Sequence, residues 1–114
     1  MNNLSNSVRS TGRLGAAPEM RDLENEKKVA KISLATNFYR KNGKGESVQE
    51  THWRQLVLWN RNAGVAEKYL DKGSQIAIEG RLANRFYTDK DGAKHQVTEI
   101  VVNELMLLGK PVHA

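Results

Sequence analysis

Over Val29 to Thr36 apolar and polar residues alternate: Ala30, Ile32 and Leu34 point one way, Lys31 and Ser33 the other. That is the mark of a strand with one buried face. An earlier segment, Val8 to Gly15, puts Val8, Ser10, Gly12 and Leu14 on one side, and the breaker Gly15-Ala-Ala-Pro18 ends it. Glu19 to Lys28 is charge-rich without an apolar period and reads as a strand edge or connecting hairpin. A third strand, Thr51 to Trp59, is rich in aromatic and β-branched residues. Between the second and third strands, Arg40 to Gly45 has the turn residues and open charge of a flexible loop, flanked by Phe38 and Tyr39.

After Trp59 the period changes. Val65, Ala66, Tyr69 and Leu70 form one helical stripe, with Asn60 placed to cap it and Lys72-Gly73 to stop it. Ser74 to Tyr87 reads as a long strand in which Gly80 permits a bend. Asp91-Gly92 is a hairpin dipeptide, and His95 to Asn103 forms the last strand, followed by the apolar tail Leu105 to Leu108. Three strands, a short helix and two strands predict an all-β fold, a five-stranded Greek-key barrel of the OB type with its helix between strands three and four. A small mixed α+β sheet is the competing architecture.

Composition narrows the chemistry. The chain has 114 residues, one domain's worth, and no cysteine, which excludes disulfides, thiolate metal sites and thiol catalysis. No apolar run is long enough for a membrane span, and the polar N-terminus lacks a secretory core, so a cytoplasmic protein is expected. The formal net charge of +5 suggests a polyanionic partner, but only where the cations sit among binding groups.

Strand parity supplies that test, because residues of equal parity share a face. Trp53 and Trp59 lie together on the face that Leu56 and Leu58 leave free. On the strand after the helix, Ile76, Ile78, Gly80 and Leu82 turn inward, while Arg81, Arg85 and Tyr87 turn outward. Phe86 shares the inward parity and, with Phe38, is assigned a structural role; Tyr69 is assigned to the core. Rings interleaved with cations describe a binder of single strands: each base offers a π-face worth about 1–3 kcal/mol when stacked, and Lys and Arg neutralise phosphates. Duplex DNA hides those faces and calls for a recognition helix or ribbon.

Catalytic chemistry finds little footing. His52, His95 and His113 have no metal-ligand spacing. Asp89-x-Asp91-Gly92 begins like a calcium loop but lacks the later ligands, and a hairpin turn accounts for it. With no phosphate loop and no nucleophile elbow, the sequence predicts no enzyme, no cofactor and no metal.

Several segments resemble the bacterial-type single-stranded DNA-binding proteins: NSVRSTGRLG at 6–15 with PEMR at 18–21, THWRQLVLW at 51–59, and YLDKGSQIAIEGRL at 69–82, continued by YTD at 87–89 and TEIVVN at 98–103. The resemblance covers the chain from Asn6 to Gly109. It implies an OB fold in residues 1–109, with 110–114 as a short C-terminal extension. It further implies sequence-tolerant binding of single-stranded DNA in replication, recombination and repair, and assembly as a homotetramer, with a homodimer as the alternative. The family's stacking aromatics fall on Tyr39, Trp53, Trp59 and Tyr87, and its basic positions on Lys72 and Arg85. Charge and placement add Arg9, Arg13, Lys41, Lys44, Arg54, Arg61 and Arg81.

Three departures qualify the resemblance. Arg9, Ser10 and Thr11 stand where the family has apolar residues in a strand that commonly pairs subunits, and Ala83 stands where a basic residue is common. Many members also carry an acidic, Phe-tipped tail that recruits repair enzymes. This chain ends Pro111-Val-His-Ala114, so recruitment by that route is not expected of it. Two rival readings stay open: a primosome-type OB accessory protein acting through protein contacts, and an RNA-binding OB module.

Overall fold

A computed structural model describes residues 6–109. The elements are β1 (Val8–Leu14), β2 (Glu19–Asp22), a 3₁₀ turn (Glu24–Glu26), β3 (Lys28–Lys41), β4 (Ser47–Trp59), α1 (Arg61–Tyr69), β5 (Gln75–Thr88) and β6 (Lys94–Gly109). The strands run in the order β1-β5-β6-β4-β3-β2, and a further β1–β3 pairing joins the ends into a closed five-stranded barrel. β2 lies outside the closure as an edge strand on β3, which resolves the charged Glu19 to Lys28 segment as a short hairpin. The helix falls between the third and fourth barrel strands, as the sequence order implies. Among the described residues no helix is long and apolar enough to cross a membrane.

The barrel interior is filled by the alternating set: Leu14, Ala30, Ile32, Leu34, Leu56, Leu58, Ile76, Ile78, Ile100 and Val102 are all buried. α1 covers one end with Ala63 and Ala66, and Leu70 follows them inward. Tyr69, expected in the core, is instead exposed beside Lys68, because the two alanines let the helix approach on a narrower stripe centred one position away. Asn60 takes the N-cap position, its carbonyl accepting from the Gly64 amide at 2.9 Å, but its side chain makes no capping bond. Its side-chain oxygen accepts from the Lys28 amide at 3.3 Å, and its own amide donates to the Lys28 carbonyl at 2.8 Å, tying the helix start to β3. Nor does Gly73 end the helix, which stops at Tyr69; Gly73 belongs to the turn in which buried Ser74 accepts from the Asp71 amide through Oγ at 3.0 Å.

Both long hairpins outrun the core. No residue from Ala35 to Gln55, or from Arg81 to Thr98, is buried, and the radius of gyration of 16.2 Å exceeds the roughly 13 Å of a compact chain this long. Arg40 to Gly45 is therefore the end of a paired arm, not a free loop: β3 continues to Lys41, in register with Ser47. The two arms share one construction. At each tip an Asx oxygen gathers two backbone amides, Asn42 Oδ1 from Lys44 and Glu46 (2.8 and 3.0 Å), and Asp89 Oδ1 from Asp91 and Ala93 (both 2.9 Å). At each base a Thr hydroxyl donates to an Asn side-chain Oδ1, Thr51 to Asn37 at 2.8 Å and Thr98 to Asn84 at 3.0 Å. Leu82 and Phe86 keep the parity of Ile76 and Ile78, but the strand has already left the barrel, so both are exposed. The apolar tail Leu105 to Leu108 is the continuation of β6, paired with β5.

The arm leaves the barrel at Gly80, where the β5–β6 register slips by one residue. A Cβ at Gly80 would stand 2.2 Å from the Val101 carbonyl oxygen, a backbone atom that cannot yield without breaking the ladder. Gly80→Ala should lower the unfolding free energy by about 2–3 kcal/mol, measured by urea denaturation; an unchanged midpoint would contradict this packing.

Candidate nucleic-acid interface

Cross-strand partners share a face, so the register assembles rows of side chains across the outer surface. One row is Arg21–Val29–Trp59; the next is Glu19–Lys31–Val57–Val101–Arg81. Further along, Arg13–Ala35–Trp53 and then Tyr39–Gln49 and Lys41–Ser47 continue the same face. Trp59, Trp53 and Tyr39 are 42%, 58% and 69% exposed. Trp59 and Trp53 are about 20 Å apart along β4, and Tyr39 continues the line by about 13 Å.

Trp53 is seated by an absence. The chain turns at Gly15, whose amide donates to the Ser33 carbonyl at 3.0 Å, and the indole lies directly over it. A Cβ at Gly15 would be 2.5 Å from Cζ3 and 2.7 Å from Cη2 of Trp53. Beside it, Arg13 donates to the Gly73 carbonyl at 3.1 Å, which brings the Lys72-Gly73 turn against the same row.

The second arm presents Arg81, Arg85 and Tyr87 on the continuation of this surface through β6. Arg85 Nε donates to Glu99 at 2.8 Å, and Glu99 is only 8% exposed. That hydrogen bond and the charge of Glu99 hold the guanidinium still more firmly protonated, and the anchor is made through Nε. Tyr87 stacks on His95, with ring centroids 5.0 Å apart and planes 21° from parallel. His95 Nε2 lies 2.7 Å from Asp89 Oδ2, so the tip carboxylate, the imidazole and the phenol form one chain.

Of the predicted cations, Arg13, Lys41, Lys72, Arg81 and Arg85 join the ring-bearing surface, Lys44 stands at the first arm's tip, and Arg61 lines a cavity of about 560 Å³ with Trp59, Asn62 and Asn103. Two do not join it. Arg9 pairs with Glu79 at 3.1 Å on the outer face of β1 and β5, beside Thr11, Ala77, Glu104 and Met106. Arg54 shares the parity of Leu56 and Leu58, half-buried on the side opposite the indoles, with its Nε unpartnered among the described residues. Lys31 and Arg21 were missed. Parity already turned Lys31 away from the core, but only the register shows that it falls between the two indoles. Phe38 turns to the other side of its arm, edge-on to His52 at 4.8 Å, beside the Arg40–Glu50 ion pair. Among the described residues no group of three or more His, Asp or Glu side chains could hold a metal ion.

Residues 5–108 match the single-strand binding protein family. The chain belongs to that family. Relatives named single-stranded DNA-binding protein in Neisseria meningitidis serogroup A and serogroup B are each 36% identical to it over 104 residues, 91% of this chain. The chain spans 60% of the length of these curated relatives. Among solved structures it is similar to the Plasmodium falciparum SSB in complex with ssDNA, with a TM-score of 0.82 and 32% identity over 95% of this chain and 99% of that one. The barrel is thus the OB fold of the single-strand binding proteins.

Two outcomes follow for this family member. Gly15→Ala should move the indole N–H resonance of Trp53 in the NMR spectrum and leave that of Trp59 in place, with unfolding free energy within about 1 kcal/mol of the parent. Asp89 is held below the ordinary carboxylate range, chiefly by His95 and then by the tip amides. A carboxyl whose folded pKa is depressed supports the folded arm above its unfolded pKa and loses that support as pH falls through the lower, folded value. An NMR titration should therefore find Asp89 still ionised below the usual range, and His95→Gln should bring it back toward the ordinary value.

Proposed function

We propose that this chain binds single-stranded DNA without sequence preference and without catalysis, by stacking bases on Trp59, Trp53, Tyr39 and Tyr87. Lys31, Lys41, Arg13, Lys72, Arg81 and Arg85 supply the phosphate contacts, with Arg21, Lys44 and Arg61 at the margins. One observation carries the reading: three large rings lie exposed in line on one face of β3–β4, with cations in the rows beside them. A core has no use for indoles on that side, and an extended strand of bases does. Family membership and the likeness to a protein solved on ssDNA point the same way. Residues 1–109 act as the binding domain, and 110–114, which lie outside the described residues, as a short extension. The cellular role that fits is cytoplasmic protection of strands exposed in DNA replication, recombination and repair.

The outer face of β1, β5 and β6 supports self-association into a homotetramer or a homodimer. Met106 is exposed there between Arg9, Glu79 and Glu104, giving an apolar centre with charges of both signs around it. Such a surface can meet its own copy across a two-fold axis, Arg9 of each against acids of the other. Arg9 thus has a use away from DNA, at the position where the family places apolar side chains.

Titration with oligo-dT at two salt concentrations, followed by tryptophan fluorescence, tests the proposal. The parent should show quenching and an affinity that falls steeply with salt. Trp53→Ala with Trp59→Ala should cost about 2–6 kcal/mol of binding while thermal unfolding stays cooperative. Equal binding by that variant, or tighter binding of oligo-U than oligo-dT, would overturn it, and sedimentation reads the subunit number.

A further inference from the structure

Phe86 is the most exposed large apolar side chain in the described structure, at 71%. It follows Arg85 and precedes Tyr87 on β5, so its ring projects from the face of the second arm opposite theirs. Its surroundings on that face are polar: Asn84 and Thr88 on its own strand, and Gln96, Thr98 and Lys94 across the ladder. Phe86 and Tyr87 also line one cleft, with Thr88 and Lys94, of about 370 Å³. The cleft therefore folds around the arm and carries a ring on either side of the β-ribbon.

The shared construction of the arms gives this placement a meaning. Counting back from the Asx residue of each tip, Phe86 holds the position in the second arm that Tyr39 holds in the first: each is third before Asn42 or Asp89. Both are the most exposed rings of their arms. Neither ring makes an aromatic contact within its own hairpin: there the ring contacts are Phe38 on His52 and Tyr87 on His95, and the Asx tips and Asn–Thr bonds hold the rest.

We propose that Phe86 is a further base-stacking residue, and that a single strand of DNA crossing Tyr87 passes around the edge of the second arm and onto its reverse face, with Lys94 taking a phosphate at the crossing. The inference rests on the single-strand-binding reading above. DNA, not a protein surface, fits this spot: a lone ring among amides, hydroxyls and a lysine lacks the contiguous apolar centre of a protein interface, whereas a base needs only the ring and a nearby cation. On this account the strand is bound on both faces of the arm, so the second arm is gripped around its circumference.

Phe86→Leu keeps apolar bulk and removes the π-face; Phe86→Tyr keeps the face. With oligo-dT long enough to span the protein, Phe86→Leu should weaken binding by about 5- to 150-fold, with Phe86→Tyr close to the parent and Lys94→Gln weaker and less dependent on salt. A direct reading places a single tryptophan at the site, Phe86→Trp combined with Trp53→Phe and Trp59→Phe. Its emission should be quenched once an electrophoretic shift shows the protein saturated with oligo-dT. Parental affinity in Phe86→Leu, or unquenched emission at saturation, would overturn the inference while leaving the binding function standing. So would a smaller sedimenting species in Phe86→Leu without DNA, because the ring would then be a contact between subunits. Failure of the parent itself to bind oligo-dT would instead remove the reading on which the inference rests.

Discussion

The architecture depends on a junction at Leu14. Up to this residue β1 is a partner of β5; at Arg13 and Leu14 it is also a partner of β3, and the sheet becomes a barrel. Leu14 is buried, its amide donates to the Ser74 carbonyl at 3.0 Å, and its carbonyl accepts from the Gly73 amide at 2.8 Å. One residue later, Gly15 is bonded to Ser33 and supports Trp53. Closure removes the two edges that an open sheet of these strands would expose. It also sets the curvature of the outer surface on which the rings stand.

A barrel this small is filled by small and branched aliphatic side chains and has little room for an indole. The division follows from volume as much as from hydrophobicity. Alanine, valine, leucine and isoleucine occupy the inside, and the large rings are left on the outer surface and the arms. Exposure of such rings loses hydrophobic stabilisation of the folded domain, and the stacking proposed above is the compensating gain. Arg85 shows the same economy of placement: a nearly buried carboxylate restrains one end of the guanidinium and leaves the rest free to meet an anion.

Much of this was readable from alternation. Ala30, Ile32, Leu34, Leu56, Leu58, Ile76 and Ile78 lie inside as parity requires, and Trp53, Trp59 and Tyr87 lie outside. What parity lacks is distance from the core. Leu82 and Phe86 keep the inward phase of Ile76 and Ile78, yet the strand has passed the end of the barrel, and no local pattern marks that point apart from Gly80. The same blindness hid Lys31, whose face was evident but whose neighbours across the sheet depend on register. Asn60 and Tyr69 failed for another reason: a side chain with the right local chemistry was claimed by tertiary structure, Asn60 by β3, while small alanines at Ala63 and Ala66 decided which helical face would approach.

The paired arms carry a thermodynamic corollary. A two-stranded ribbon standing clear of its core is marginal in water, and these have hydrogen bonds and single ring contacts where a sheet interior would have packing. Their amides should sit at the low end of the protection scale and open without the barrel opening. On the proposed single-strand-binding reading, a bound polynucleotide supplies the missing layer, with bases serving as the apolar cover that a third strand or a helix would otherwise provide. Part of the free energy of association is then spent on ordering the ribbons, and the heat-capacity change of binding exceeds what the contacted area alone would give. On that reading the paired ribbons, already formed, gain their rigidity from the strand they bind.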